Sequence, residues 1–156
     1  MGGAVGLKER IYEWAGRRFI ERPASRMSVV ELAEALSASG DEVRARLAKV
    51  GASPRNVARL RHIIGIERWG QRRLRVFLGE PPIVDGHHPY KPTDTEWGAL
   101  LTEFASARAD TVALAAELTT ADERATVPHN QFGPFTARGW LRYLHRHARM
   151  ESKLMR

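Results

Sequence analysis

The sequence predicts an all-α protein, a four-helix bundle preceded by an extra helix. Four stretches of comparable length carry apolar residues at helical spacing, and each opens on a residue suited to capping. No segment alternates with period two, and no Gly-rich phosphate loop is present. The 156 residues suffice for one domain with a real hydrophobic core and are too few for two. Residues 1–26 are read as an N-terminal extension with a short helix, and residues 27–156 as the bundle.

Leu7, Ile11, Trp14 and Ala15 recur at helical spacing until Pro23, so the leading helix spans about Leu7 to Glu21 and packs on another element. Ser28-Val29-Val30-Glu31 is a capping box in which Ser28 accepts from the Glu31 amide while Glu31 reaches back. The helix it opens runs from about Val29 to Lys49, with Val29, Leu32, Leu36, Val43, Leu47 and Val50 in its stripe. Ser39 and Gly40 are small enough to let a neighbour approach closely. Gly51 ends that helix, and Ser53-Pro54 starts the next with serine as cap and proline in the first turn. So short a turn must pack the two helices antiparallel.

The second long helix runs from Pro54 to about Leu78, before Gly79-Glu80-Pro81-Pro82. Its apolar arc of Leu60, Ile63, Ile64, Ile66, Leu74, Phe77 and Leu78 also takes in Glu67 and Gln71. Pro81 to Pro92 has no periodicity and reads as a loop crossing the bundle. Thr93-Asp94-Thr95-Glu96 is a second capping box, opening a helix from about Asp94 to Leu118 with Trp97, Leu100, Leu101, Phe104, Thr111, Ala115 and Leu118 on one side and Arg108 among them. A long loop, Thr119 to Phe135, leads to Thr136, the cap of the last helix. One tight connection and two long ones imply a crossover rather than a simple meander.

The net charge of +7 and a pI near 10.5 favour an acidic partner, but the arginines recur at helical spacing and read as solvated outer faces. Without a helix-turn-helix or a concentrated basic patch, nucleic acid is not an expected partner. The chain has no cysteine, which excludes disulfides, thiolate metal sites and cysteine nucleophiles. Met1 to Gly6 lack the basic flank and apolar run of a signal or a membrane span, so the expectation is a cytoplasmic protein.

The last helix carries the most informative pair. With Trp140 at the centre of its stripe, Leu144, His147, Glu151, Leu154 and Met155 fall on the same side at about 100° per residue, opposite Arg142, Arg146, Arg149 and Lys153. A carboxylate facing the core needs a metal, a cation or a proton. An i, i+4 pair lies within about 5–6 Å at Cβ, and imidazole plus carboxylate suits Zn, Ni or Fe. The best candidate for a third ligand is His62, at the edge of its apolar arc beside Trp69. Taken alone, His62 also reads as a boundary histidine donating to a backbone carbonyl. His145 projects away from the stripe, and the loop histidines His87, His88 and His129 read as exposed.

The run Arg61-His62-Ile63-Ile64-Gly65-Ile66-Glu67-Arg68-Trp69 resembles the second helix of the DinB superfamily, where a histidine is followed five positions later by an acidic residue. Gly133-Pro134-Phe135-Thr136-Ala137-Arg138-Gly139-Trp140, leading into Tyr143-Leu144-His145-Arg146-His147, resembles that family's approach to its last helix, where two histidines stand at i, i+4. The resemblance covers about Ser28 to Met155. It implies an up-down-down-up four-helix bundle, a divalent metal held by three histidines near one end, and homodimer formation, with the leading helix and Trp14 as contacts. Carried over, His62 is the first ligand and His147 the second, while the third position falls on Glu151 instead of histidine. Arg59, Glu67 and Arg108 are the nearest candidates to support the ligands or contact a small-molecule substrate.

Two readings stay open. In the first, His62, His147 and Glu151 hold a divalent ion in a metal-dependent hydrolase or thiol transferase. In the second, Arg108 neutralises Glu67 and Glu151 in a non-enzymatic bundle with a degenerate site, which acts by association.

Overall fold

Ser28 starts the first long helix as its chemistry dictates. In the computed structural model, which describes residues 6–156, its hydroxyl accepts from the Glu31 amide at 3.1 Å and the Glu31 carboxylate accepts from the Ser28 amide at 2.7 Å. The expectation placed on Met1 to Val5 lies outside the described residues. The described chain is mostly helical. A leading helix α1 (Leu7–Gly16) runs through a π-helical turn (Arg17–Glu21) into α2 (Arg22–Ala24). The long helices are α3 (Val29–Val50), α4 (Pro54–Val76), α5 (Trp97–Glu117) and α6 (Ala137–Lys153). Among the described residues, none is long and apolar enough to cross a membrane.

Two boundaries differ from expectation for local reasons. Helix α5 starts at Trp97 because Glu96 is its cap: the carboxylate accepts from the Gly98 and Ala99 amides at 2.9 and 2.6 Å, while Asp94 accepts from the Glu96 amide. Helix α6 ends at Lys153, so Leu154 leaves the stripe and is half exposed while Met155 stays buried. The loop before α6 also holds a short antiparallel hairpin, β1 (Val127–His129) and β2 (Gly133–Phe135). Pro128 faces Pro134 across it, and three-residue strands are too short to show a period of two.

Helices α3 and α4 reverse direction at Gly51 but are not a packed pair; each packs against both α5 and α6. Arg68 bonds Glu103 and Gln71 bonds the Ala107 carbonyl, so α4 and α5 run parallel. His62 meets His147 and Gly70 meets Leu144, so α4 and α6 run antiparallel.

Two apolar clusters fill this bundle, one around Trp69 and Trp140 and one around Leu60 and Phe104. A polar layer lies between them. The Arg108 guanidinium grips Glu67 through two bonds of 2.8 and 3.0 Å and donates to the Leu36 carbonyl, the Ser39 hydroxyl and, at 3.4 Å, the Leu144 carbonyl. Thr111 donates to Glu67 at 2.7 Å, and Gln71 donates to Thr111. The close approach expected at Ser39 and Gly40 is that of Arg108: a methyl group on Gly40 would meet its Cγ at 2.8 Å.

The leading helix docks by the face opposite to its apolar stripe. Leu7, Ile11 and Trp14 are 76, 55 and 60% exposed, whereas Gly16 and Ile20 are buried. Gly16 lies so close to the Phe132 carbonyl that any side chain would overlap it. Glu21 then takes the Thr136 amide at 2.8 Å at the start of α6. Contact therefore rests on the small Gly16, on Ile20 and on a half-buried carboxylate rather than on the Leu7, Ile11 and Trp14 stripe.

His129 closes the hairpin turn. Its Nδ1 accepts from the Gln131 and Phe132 amides at 3.1 and 3.2 Å, and the ring sits among Trp69, Trp140, Phe135 and Tyr143. Burial among these rings, with the nearby Arg73 charge, pushes its pKa down to about 3.

Removing either member of the Arg108–Glu67 pair strands a buried charge. Urea denaturation at pH 7 should show Glu67→Gln and Arg108→Met each losing about 3–5 kcal/mol, with the double variant losing less than their sum. His129 is neutral in the fold and takes a proton near pH 6.5 when unfolded, so its contribution is complete above that pH and is lost as pH falls toward 3. The unfolding free energy should fall with acidity by up to about 1.4 kcal/mol per pH unit more steeply in the wild type than in His129→Asn.

Candidate metal centre

The antiparallel register of α4 and α6 builds the site. From His62, one turn back along α4 is Arg59; from His147, one turn on along α6 is Glu151. Opposite directions therefore bring both pairs together at once. His62 Nε2 lies 3.2 Å from His147 Nε2, and Arg59 is ion-paired with Glu151. Ligating atoms of His62, His147 and Glu151 all fall within 4.8 Å of one another.

This donor set fits a divalent ion. Two nitrogens each about 2.0–2.1 Å from a tetrahedral zinc are separated by about 3.3 Å, close to the distance seen between the rings. Both rings supply the neutral form that ligation needs. Burial is the main cause of the low His62 pKa, with His87 adding to it and Glu151 opposing. His147 is pushed to about 3, by burial first and then by His62. The Glu151 carboxylate is already ion-paired, so an ion would share it with Arg59 or displace Arg59.

The cluster lines a cavity of about 470 Å³. Ile66, Trp69, Phe132 and Tyr143 form apolar walls, and Phe19 and Ile20 close it from the leading segment. His87 reaches it from the loop after α4, its ring 4.9 Å from that of His62. That loop is fixed by Asp85, which accepts from Trp69 Nε1 at 3.1 Å and Tyr90 at 2.6 Å and pairs with Arg73. Its backbone carbonyl accepts from Asn130 of the hairpin.

The residues singled out from the sequence thus divide into two groups. His62, His147, Glu151 and Arg59 meet beside the cavity. Glu67 and Arg108 pair with each other in the core and do not line it. The pairing of Arg108 with Glu151 is not formed, and His62 faces another imidazole rather than a backbone carbonyl. His145 turns away from the cluster, toward Arg142 and Arg149. The expectation of exposure holds for His88 and fails for His87, half-buried, and His129, buried. Nothing local in the sequence marks these two, because the folding of the loop after α4 and of the hairpin before α6 brings them in.

No curated protein and no solved structure matches this chain. A family model described as the DinB superfamily matches residues 24–151. That stretch includes α3, α4, α5, the hairpin and α6 as far as Glu151, and leaves the leading helix outside. The chain belongs to the DinB superfamily.

Proposed function

We propose that this protein is a metal-binding DinB-type four-helix bundle of up-down-down-up course, in which His62, His147 and Glu151 hold a divalent ion, Zn, Ni or Fe. The convergence of these three side chains on the lining of a mostly apolar cavity carries the reading. The parallel course of α4 and α5 and the antiparallel course of α4 and α6 support the topology. Three protein ligands leave room for a substrate atom, and the cavity supplies the space for its remainder. The reaction class we assign is metal-dependent hydrolysis or thiol transfer. A divalent ion would supply Lewis acidity, polarising an electrophilic centre or favouring the thiolate of a substrate thiol.

The chain's own groups prepare that chemistry. Antiparallel helices fix the two imidazoles, burial keeps them unprotonated, and Arg59 orients the carboxylate. Tyr143 packs against the His147 ring at 5.7 Å between centroids, and burial raises its pKa, so its hydroxyl stays protonated. The mostly apolar lining lowers the polarity around these side chains.

The Arg59–Glu151 pair favours a second reading, a degenerate site in a non-enzymatic bundle that acts by association. Metal analysis separates the two. Protein purified without chelator or nickel resin and dialysed against zinc should retain one ion per chain. His147→Ala should weaken binding, by calorimetry, more than the roughly 10–100-fold typical of losing a supporting residue. Zinc uptake that is sub-stoichiometric and unchanged in His147→Ala would leave the degenerate bundle as the account.

A further inference from the structure

The cavity has a wall that the family match does not include. Phe19 and Ile20, with Ala15 and Gly16, line it from residues that precede position 24. This wall is built in. Gly16 abuts the Phe132 carbonyl, Glu21 caps α6 through the Thr136 amide and hydroxyl, and Arg146 Nη1 donates to the Phe19 carbonyl at 3.2 Å. Gly139 is bare beside the Glu21 carboxylate, so a methyl group there would collide with this anchor. The π-helical turn lies at the same place, adding a residue where Phe19 and Ile20 reach the cavity and Glu21 must still reach α6.

The polarity of the cavity limits what it accepts. His62, His87, His147 and Glu151 cluster on its lining, and the rest is mostly aromatic and aliphatic, with His129, Asn130 and Gln131 as further polar residues. Arg146, a cation on its lining, is engaged by the Phe19 carbonyl and the Met150 sulfur. Arg146 keeps its charge, but most of the lining is apolar, so a charged body would lose hydration along it with little to replace that water. About 470 Å³ lies within the range that holds a small organic molecule.

From these observations we infer that the leading segment is a specificity-determining wall, and that the site takes a small molecule with an uncharged aryl or branched-alkyl body and one metal-ligating head. The identity of the head rests on the metal reading above; the apolar body rests on the wall alone. Phe19 contributes contact area to that body, and the ligand head points toward His62, His147 and Glu151.

The test uses paired probes on the full chain: acetohydroxamate and 2-naphthohydroxamate, with acetamide and 2-naphthamide as matched compounds lacking a chelating head. Calorimetry on zinc-treated protein should show the naphthyl compound of each pair binding at least tenfold more tightly than the acetyl one. Phe19→Ala should reduce that preference about fivefold, and Ala15→Trp, which fills the cavity from a helix surface, should abolish it. Circular dichroism and melting curves establish that both variants fold. A naphthyl preference that is absent, or unchanged in both folded variants, would overturn the wall. Failure of the metal reading looks different: hydroxamates would bind no better than their amides while the naphthyl preference and its loss in the variants persisted.

Discussion

The buried bond between Arg108 and Glu67 is the constraint on which the bundle turns. A guanidinium and a carboxylate in the core are each costly, and their attraction compensates only when every remaining donor and acceptor is met. Here Arg108 reaches Glu67 on α4, Leu36 and Ser39 on α3 and the Leu144 carbonyl on α6, while Thr111 and Gln71 complete the layer. An apolar core tolerates a sliding helix more readily than this layer does. A shift of one turn along any helix would leave a buried charge or carbonyl without its partner.

That fixed register sets the candidate site at a distance. Leu144 is bonded to the clamp through its carbonyl, and His147 follows it by three residues, almost one turn. Glu67 is in the clamp, and His62 precedes it by five. Holding α4 and α6 at this level places the two imidazoles opposite each other and Glu151 opposite Arg59. The two acids thus have different surroundings. Glu67 is enclosed and consumed by structure, whereas Glu151 keeps about a quarter of its side chain exposed and borders the cavity.

Much of this was legible in the residues, and what was not has physical reasons. Ser28, Ser53 and Thr136 cap the helices they mark, because a hydroxyl before a helical stripe has a local partner whatever the tertiary structure. The His147–Glu151 spacing puts both side chains on one face of α6, because i, i+4 geometry is also local. Which cation Glu151 meets is not local: Arg108 and Arg59 were both within reach of the pattern, and the Glu67 carboxylate claimed Arg108. The leading helix misleads for a related reason. Leu7, Ile11 and Trp14 form its apolar stripe, yet Gly16 and Glu21 decide the docking through close approach and a cap on α6. His87 and His129 enter the cavity only because Asp85 and the hairpin fold their loops over α4, contacts that no short window of sequence contains.

The central claim is that one divalent ion is held jointly by the facing turns of α4 and α6. A zinc-soaked crystal, with anomalous scattering recorded on both sides of the zinc edge, addresses it directly. The account predicts a single strong peak within bonding distance of His62 Nε2, His147 Nε2 and a Glu151 carboxylate oxygen. A cavity without such a peak, with Glu151 still paired to Arg59, would contradict it.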